Sequence, residues 1–279
     1  ALMITDEANV IVEINPAFTS LTGYSRDEIL GKQPSVLRSG IHDADFYRLM
    51  WESLKAEGRW QGEIWNRRKN GDLYAEWLTI NTLFGEDGLP YRRVALASDV
   101  TENKKKQDLL WQQANFDMLT LLPNRRMFQD RLDVELKKLR RSGTKLAVLF
   151  MDLDRFKEVN DTLGHDKGDQ LLRQAAKRIL TCVRESDTVA RLGGDEFTVI
   201  LTDIENAASV ERVAQSIVAS LSQSFELDGH LADVSVSLGI AICPDHAGES
   251  AVLVQKADQA MYAAKQAGRN GYQFSRSAI

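Results

Sequence analysis

The sequence has 279 residues, of which 43% are hydrophobic and 27% are charged, and its net charge is −5. This length favours two domains over a single core. The composition is typical of a globular protein rather than of a disordered or membrane chain. The negative charge argues against a broad nucleic-acid-binding face. No run approaches the roughly 18 apolar residues that a membrane span needs.

The two cysteines, Cys182 and Cys243, lie far apart in the sequence and in apolar surroundings. Neither belongs to a CxxC or Cys/His cluster, so we expect two small buried thiols in a reduced, cytoplasmic protein. The chain starts at Ala1 inside a strand-like run. We interpret it as a fragment from which further domains or a membrane anchor could have been removed.

The first hundred or so residues carry the signals of an antiparallel sheet with helices. A short helix is expected from Pro16 to Gly23, and apolar residues at helical spacing predict a longer helix over residues 43–57. The Asn70-Gly71 pair is a strong hairpin signal. Strands are expected at residues 1–5, 10–14, 60–68, 74–83 and 91–100. This order predicts a five-stranded antiparallel sheet with helices on one face.

Residues 101–116 contain neither Gly nor Pro, and they predict a helical connector rather than a flexible linker. Leu109, Leu110 and Trp111 form one apolar patch on this segment. Such a patch is typical either of a helix that pairs with another helix or of a solvated helix, and the segment is too short to decide.

The second half alternates strands with helices after a turn and helix start at Pro123-Asn124-Arg125. Strands are expected at residues 145–151, 188–192, 197–201 and 233–242, and helices at residues 168–182, 207–221 and 251–267. This alternation predicts an α/β sandwich with a mixed sheet.

Acidic residues follow two of these strands. Asp152 and Asp154 come after the first strand, and Asp195 and Glu196 occupy the turn between the next two. If the strands are neighbours, these carboxylates meet at one edge of the sheet and need a cation to stay ionised. Oxygen ligands suit Mg²⁺ or Mn²⁺ and are typical of phosphoryl-transfer sites. Gly193-Gly194-Asp195-Glu196 by itself is equally a plain hairpin turn.

Basic and polar residues lie near these acids in the sequence. Lys157, Lys265 and Arg269 could neutralise a triphosphate, the last two on one helical face. They also fit a solvated helix end. Asn160 and Asp169 have the acceptors and donors to read a purine edge, or they serve as turn and cap residues.

A series of segments in the second half falls in a fixed order. These segments are Asp117-Met-Leu-Thr-Leu-Leu-Pro-Asn-Arg125, Asp152-Leu-Asp-Arg-Phe-Lys157, Asn160-Asp-Thr-Leu-Gly-His165, Gly168-Asp169, Arg191-Leu-Gly-Gly-Asp-Glu-Phe197, Ala257-Asp258, and Tyr262-Ala-Ala-Lys265 to Gly268-Arg-Asn270. Together they resemble the GGDEF diguanylate cyclases over roughly 160 residues. The resemblance implies a nucleotidyl-cyclase-like, ferredoxin-like α/β sandwich that condenses two GTP into cyclic di-GMP.

The resemblance also implies roles for individual residues. Asp152 and Asp195, with the backbone carbonyl of Leu153, match the metal ligands. Glu196 matches a metal ligand or the group that helps to deprotonate the attacking 3′-hydroxyl. The remaining matches are the guanine readers Asn160 and Asp169, the substrate contacts Phe156, Lys157, Lys265 and Arg269, and Gly193 and Gly194, which leave room for the nucleotide. Each site would hold one GTP, so two subunits must meet face to face.

Arg184-Glu-Ser-Asp187 lies shortly before this hairpin and resembles the RxxD motif that binds the product and inhibits the family. Taken alone, the motif also fits a surface ion pair. Leu121 departs from the family pattern, because many members have Gly there. This departure lies outside the metal site, and it puts in doubt the geometry of the connector.

The first domain resembles a PAS sensor. The residues that carry this resemblance are Asn15-Pro-Ala-Phe-Thr-Ser-Leu-Thr-Gly-Tyr24, Gly31-Lys32, Trp60-Gln-Gly-Glu-Ile-Trp-Asn-Arg-Arg-Lys-Asn-Gly71 and Asp99-Val-Thr101. PAS domains share a fold and differ in ligand. We interpret this one as an unliganded dimerisation module, with haem bound through His42 or flavin near Trp60, Glu63 and Asn66 as alternatives.

The sequence therefore predicts a PAS domain over 1–101, a helical connector over 102–116 and a GGDEF domain over 117–279. The expected function is a PAS-regulated, Mg²⁺-dependent diguanylate cyclase that uses GTP, works as a homodimer and is inhibited by its product. The alternative is a GGDEF domain without turnover that senses GTP or cyclic di-GMP. Degenerate domains of that kind typically lack the acids or phosphate contacts, which are all present here.

Overall fold

The structure, a computed structural model, describes residues 1–276 apart from the side chain of residue 142. The last three residues of the predicted GGDEF domain lie outside this range. The chain divides into two compact units, one over Ala1–Leu110 and the other beginning at Trp111. The predicted boundaries 1–101, 102–116 and 117–279 stay a prediction.

The first unit contains a five-stranded antiparallel sheet, as predicted. Its strands are β1 (Leu2–Asp6), β2 (Ile11–Ile14), β3 (Arg59–Arg67), β4 (Leu73–Phe84) and β5 (Pro90–Asp99). They are arranged in the order β2-β1-β5-β4-β3. The turn after Arg67 closes with the Arg68 N–H donating to the Asp72 carbonyl at 2.8 Å, so the predicted Asn-Gly hairpin is confirmed.

Helices of the first unit begin and end at capping residues. They are α1 (Pro16–Thr22), α2 (Arg26–Ile29), a 3₁₀ helix (Pro34–Leu37) and α3 (Ala44–Glu57). Asn15 accepts from the Phe18 N–H at 3.0 Å and Asp43 from the Phe46 N–H at 2.9 Å, while Gly23 and Gly58 end α1 and α3 with left-handed φ of 79° and 68°. The sequence missed α2 and the 3₁₀ helix, because single turns carry little periodicity.

Residues Thr101–Asn115 form one continuous helix, α4, as predicted for the connector. Its start is fixed by Asp99, whose carboxylate accepts from the Thr101 N–H at 2.9 Å. Leu109, Leu110 and Trp111 are all exposed, and both interpretations of this apolar segment stay predictions.

The second unit contains a mixed five-stranded sheet in the order β12-β11-β6-β8-β7. Its strands are β6 (Lys145–Asp154), β7 (Thr188–Gly193), β8 (Glu196–Ile204), β11 (Ser235–Cys243) and β12 (Gly271–Phe274), with a separate hairpin of β9 (Phe225–Leu227) and β10 (His230–Ala232). β11 and β12 are parallel and the other pairs antiparallel. The predicted mixed sheet is confirmed.

Helices cover both faces of this sheet. They are α5 (Arg125–Ser142), α6 (Phe156–Leu163), α7 (His165–Thr181), α8 (Ala207–Leu221) and α9 (Ser250–Gln266). α5 and α9 pack with Val148 and Phe150 of β6, whereas α7 and α8 pack with Leu149 and Met151. Alternation along one strand thus supplies two cores, and the predicted sandwich is confirmed.

Several predicted elements differ in extent. β6 continues to Asp154 because β11 pairs with it to that residue, so Asp152 and Asp154 lie within the strand rather than after it. The sequence missed α6 and the short strands β9, β10 and β12, and it started α7 three residues late. Cys243 is buried as expected, whereas Cys182 is only half-buried, and both are free thiols. Within residues 1–276, no helix is both long and apolar enough to cross a bilayer.

Candidate active site

The acidic site is built by neighbouring strands. β6 and β8 pair so that Asp152 lies directly opposite Glu196, and Asp195 lies in the turn that precedes β8. The Leu153 N–H donates to the Asp195 carbonyl at 3.3 Å, which brings the turn against the end of β6. The strand pairing thus places Asp152 opposite Glu196 with Asp195 in the adjoining turn, which is the neighbouring-strand arrangement on which the sequence prediction depended.

Burial and repulsion act on the same carboxylates. Burial raises the pKa of Asp152, and the Asp195 carboxylate raises it further, although Lys265 opposes the shift from 2.7 Å. Burial also raises the pKa of Glu196, with the nearby Arg125 opposing and Asp152, Asp258 and Asp195 reinforcing the shift. The cluster therefore favours an added positive charge.

The donor set fits a hard divalent cation. Asp152, Asp195, Glu196 and the Leu153 carbonyl offer only oxygen, which Mg²⁺ and Mn²⁺ prefer. Among the described residues, no group of three or more acidic, His or Cys side chains is already arranged around a common point. Mg²⁺ typically takes one or two carboxylates and completes its shell with water and substrate phosphate, so a preformed cage is not required.

The hairpin of β7 and β8, which carries Asp195, is held in place by Arg191. Gly193 and Gly194 have φ of 145° and 53°, conformations that favour glycine. The Arg191 guanidinium donates to the Gly194 carbonyl at 2.9 and 2.7 Å and to both Asp117 carboxylate oxygens at 2.9 Å. Asp117 and Arg191 belonged to the sequence motifs, but sequence analysis gave them no role.

Leu121, the departure from the family pattern, lies in the turn that carries Asp117. It has a left-handed φ of 60° and is exposed, which explains physically why Gly suits the position. The turn nevertheless forms, since the Leu121 N–H donates to the Asp117 carbonyl at 2.8 Å.

Asp154 does not join the acidic cluster. It is 3% exposed and accepts from the hydroxyls of Ser235 at 2.6 Å and Ser237 at 2.8 Å. It also accepts from the Asn270 N–H at 3.2 Å, in the turn that joins α9 to β12. Its interpretation as a fourth member of the cluster is wrong, because β11 supplies donors that satisfy it.

The predicted phosphate contacts are only partly gathered. Lys265 reaches Asp152, and Arg269 is exposed with its Nε 3.9 Å from an Asp154 oxygen. Lys157 is exposed on α6, and its side-chain ammonium makes no hydrogen bond or ion pair with another described residue. Gly239 of β11 lets α9 approach closely, since a Cβ there would lie 2.0 Å from the Ala257 carbonyl oxygen. Sequence analysis missed Gly239, which no local pattern marks.

The two predicted guanine readers lie on adjoining helices. Asn160 is on α6 and Asp169 on α7, and both are half-buried. A Cβ on Gly168 would lie 1.9 Å from Asn160 Oδ1 and 3.3 Å from Phe156 Cζ. Gly168 therefore makes room for Asn160 next to Asp169, and the predicted substrate residue Phe156 is beside them.

The RxxD segment forms a closed turn rather than a side-chain ion pair. The Asp187 carboxylate accepts from the backbone N–H groups of Arg184 at 3.0 Å and Thr202 at 3.1 Å. The Arg184 side chain is exposed and has no hydrogen bond or ion pair within the described residues. The alternative interpretation as a surface ion pair between these two side chains is therefore wrong.

Residues considered for a PAS cofactor are scattered. His42 Nε2 accepts from the Trp65 N–H at 2.8 Å, so the lone pair that haem iron would need is engaged. Glu63 pairs with Lys104 at 2.9 Å. Of Trp60, Glu63 and Asn66, only Asn66 lines the cavity of this unit. His42 therefore does not fit the haem alternative. Trp60, Glu63 and Asn66 together do not fit the flavin alternative.

A family model described as the GGDEF domain of diguanylate cyclases matches residues 114–271, and a PAS-domain model matches residues 1–102. The chain belongs to the GGDEF family, with a PAS domain before the GGDEF domain.

Similar proteins share this arrangement in part. Diguanylate cyclase TpbB of Pseudomonas aeruginosa is 48% identical over 158 residues, which are 56% of this chain and 36% of TpbB. Probable diguanylate cyclase DgcE of Escherichia coli is 34% identical over 273 residues, which are 96% of this chain and 24% of DgcE. The chain thus spans about a third or less of these curated relatives.

A solved structure gives the same fold for the second unit. The coiled coil and GGDEF domain of DgcB from Caulobacter crescentus, crystallised in complex with c-di-GMP, matches with a TM-score of 0.57 at 31% identity. The match covers 63% of this chain and 93% of that chain.

Proposed function

We propose that this protein is a diguanylate cyclase, which joins two GTP molecules into cyclic di-GMP and releases two pyrophosphates. The observation that carries the proposal is the register pair Asp152 and Glu196, with Asp195 in the adjoining turn and Lys265 at 2.7 Å from Asp152. Family membership and the names of TpbB and DgcE support it.

In this proposal Asn160 and Asp169 hold the guanine edge, next to Phe156. Lys157, Lys265 and Arg269 bind the phosphates. Of these three side chains, only Lys265 makes a close ion pair within the protein. The charged groups of Lys157 and Arg269 are therefore available to bind phosphate. Gly193 and Gly194 leave backbone room at the turn.

The chemical step is a phosphoryl transfer. The 3′-oxygen of one GTP forms a bond to the α-phosphorus of the other, and the bond from that phosphorus to pyrophosphate breaks. Glu196 would either accept the proton of the 3′-hydroxyl or serve as a metal ligand, in which case solvent would take that proton. Asp152, Asp195 and the Leu153 carbonyl, with Glu196 in its second role, would hold Mg²⁺ or Mn²⁺, which would neutralise charge on the triphosphate.

One domain offers one such site, and the product needs two linkages. We therefore propose a homodimer in which two GGDEF domains face each other. Regulation by the PAS domain and inhibition by cyclic di-GMP at Arg184 and Asp187 belong to the same proposal, as does a cytoplasmic location, where GTP is available. DgcB was crystallised with c-di-GMP, which supports a nucleotide ligand rather than nucleic acid.

The test is incubation of the chain with GTP and Mg²⁺, followed by chromatography for cyclic di-GMP. We expect synthesis by the wild type and at least a hundredfold loss in Glu196→Gln and Asp195→Asn. Glu226→Gln, which alters an exposed acid on β9, should keep wild-type activity. If the wild type binds GTP without making product, the chain is the GTP-sensing alternative.

A further inference from the structure

The PAS unit encloses a cavity of about 370 Å³. This volume is in the range of small-molecule sites, roughly 300–1,000 Å³. The cavity lies against one face of the sheet, between that face and α3, and most of its wall is apolar. Side chains from several strands and helices form this wall, among them Met3, Met50, Ile64, Leu78 and Ala95.

One buried carboxyl interrupts the apolar wall. Glu76 lies on β4 on the same side as Leu78, lines the cavity and is only 4% exposed. Asn66, also buried, donates to it at 3.0 Å. Within the described residues, no side-chain cation pairs with Glu76, so a buried acid faces the cavity with one amide as its partner. A buried carboxyl in that position is costly unless further donors satisfy it.

Two hydroxyls on the same wall are also unsatisfied. Thr5 Oγ1 and Tyr47 Oη are buried and have no hydrogen-bond partner among the described residues, and both residues line the cavity. Buried polar groups in proteins are nearly always hydrogen-bonded. Two hydroxyls without partners and one carboxyl with a single amide donor therefore line the same apolar space.

The positive groups around this space are engaged or exposed. Arg93 donates to the backbone carbonyls of Asp6 and Glu7 at 3.4 Å. Arg38 is exposed, with its guanidinium 4.3 Å from the centre of the Tyr47 ring, and the Ala1 amino group donates to the Ala97 carbonyl at 2.6 Å. Among the charged side chains of this wall, Glu76 is buried whereas Arg93 is half-buried and Arg38 exposed, which favours a ligand that donates hydrogen bonds over an anion.

We propose that this cavity binds a small molecule with a ring-sized apolar body and a nitrogen donor group, either an amine or an amidine. Glu76 receives the donor group, Asn66 orients the carboxyl, and the Thr5 and Tyr47 hydroxyls add further hydrogen bonds. The apolar body of the ligand provides van der Waals contacts to the side chains of the apolar wall. The PAS domain is then a ligand-binding module and not an unliganded dimerisation module.

Three ring compounds of similar size test the class of ligand on the whole 279-residue chain: benzamidine, toluene and benzoate. Binding is measured by calorimetry or ligand-detected NMR. We expect benzamidine to bind most tightly and benzoate most weakly. Glu76→Gln should weaken benzamidine binding by about 10- to 100-fold, the effect of losing one charged hydrogen bond, and leave toluene binding unchanged.

Two variants serve as controls. Glu63→Gln alters an acid of β3 that pairs with Lys104 and lies outside the cavity wall, so it should leave all three affinities unchanged. Ala95→Leu fills the cavity and should abolish binding of all three. Circular dichroism confirms the fold of each variant. The proposal is overturned if benzamidine shows no saturable binding, if benzoate binds more tightly, or if Glu76→Gln leaves the benzamidine affinity unchanged.

Discussion

Arg191 joins Asp117 to the backbone of the β7–β8 hairpin, which carries Asp195. One guanidinium nitrogen contacts both Asp117 oxygens at 2.9 Å, and the other two nitrogens donate to the Gly194 carbonyl. Asp117 comes two residues after the last residue of α4. The end of the connector helix is thus linked to the hairpin by hydrogen bonds of a single planar side chain.

Arg191→Lys tests this link, because lysine keeps the charge but cannot hold both partners in one plane. We expect kcat for cyclic di-GMP synthesis to fall by about 10- to 100-fold, which corresponds to about 1.4–2.7 kcal/mol. Arg131→Lys, at a residue that makes one hydrogen bond to Thr188, is the matched control. Equal kcat values for Arg191→Lys and wild type would show that the hairpin does not depend on Arg191.

Asp154→Asn tests the anchoring of the turn that carries Arg269. Asparagine has only one acceptor oxygen for the three donors Ser235, Ser237 and Asn270, and it removes the negative charge 3.9 Å from Arg269, so the turn should loosen. We expect KM for GTP to rise about tenfold, with a smaller change in kcat, because a phosphate contact is misplaced while the acids stay in position. Asp233→Asn, at an exposed Asp bonded to Ser224, should leave KM unchanged. A selective loss of kcat would instead place Asp154 in the chemical step.

Gly168→Ala should separate recognition from stability. The new methyl would displace the Asn160 side chain, whose oxygen lies 1.9 Å from the ideal Cβ position. Alanine is at the same time the better helix former, by about 1 kcal/mol. We expect an unchanged or higher unfolding midpoint together with a smaller ratio of ATP Kd to GTP Kd. Gly248→Ala, which adds its methyl to open space, is the control, and an unchanged ratio would mean that Asn160 does not read guanine.

Arg184→Ala should raise the cyclic di-GMP concentration that halves synthesis. Losing one charged contact costs about 1.5–3 kcal/mol, or roughly 10- to 100-fold in affinity. Product-inhibition curves at fixed GTP measure the change, with Lys177→Ala as a control for an exposed cation. Asp187 is the poorer test, because its carboxylate also holds the turn. Superimposable curves for Arg184→Ala and wild type would place feedback elsewhere.

The stability of the PAS unit should depend on the protonation of Glu76. Burial raises the pKa of Glu76 from an ordinary 4.5 to about 7, with the Asn66 amide and the neighbouring Tyr74 hydroxyl opposing the shift and Asp99 reinforcing it. The folded state thus binds a proton more tightly than the unfolded state. Stability is then highest below about pH 4.5 as far as this group is concerned, and it falls as the pH rises to about 7.

The loss attributable to Glu76 is on the order of 3 kcal/mol across that window. Urea denaturation at pH 5 and pH 8, followed by tryptophan fluorescence, measures it, because Trp51, Trp60, Trp65 and Trp77 all lie in this unit. Glu76→Gln should remove most of the difference between the two pH values, whereas Glu63→Gln should keep it. The same pH dependence in Glu76→Gln and wild type would contradict the assignment.

Local patterns in the sequence determined most of the secondary structure, and the family resemblance supplied the predicted site residues. The helix Ala207–Leu221 was predicted residue for residue. Asn15 and Asp43 cap helix N-termini through their side chains, and Gly58 ends a helix with a left-handed φ. These features depend on contacts within a few residues, which the sequence records directly. The acids Asp152, Asp195 and Glu196 were likewise identified from the sequence.

Only the tertiary structure decided the surroundings of each acid. Asp152 and Asp154 are two residues apart on one face of β6, and nothing local distinguishes them. β8 places Glu196 opposite the first, while β11 presents two serine hydroxyls to the second. In the PAS unit, the sequence around Glu76 indicates only a polar residue of a strand. The folded sheet and its helices bury Glu76 in the wall of a cavity. The state of a carboxylate depends on its burial and on the donors that reach it, and here these come from strands and helices distant in the sequence.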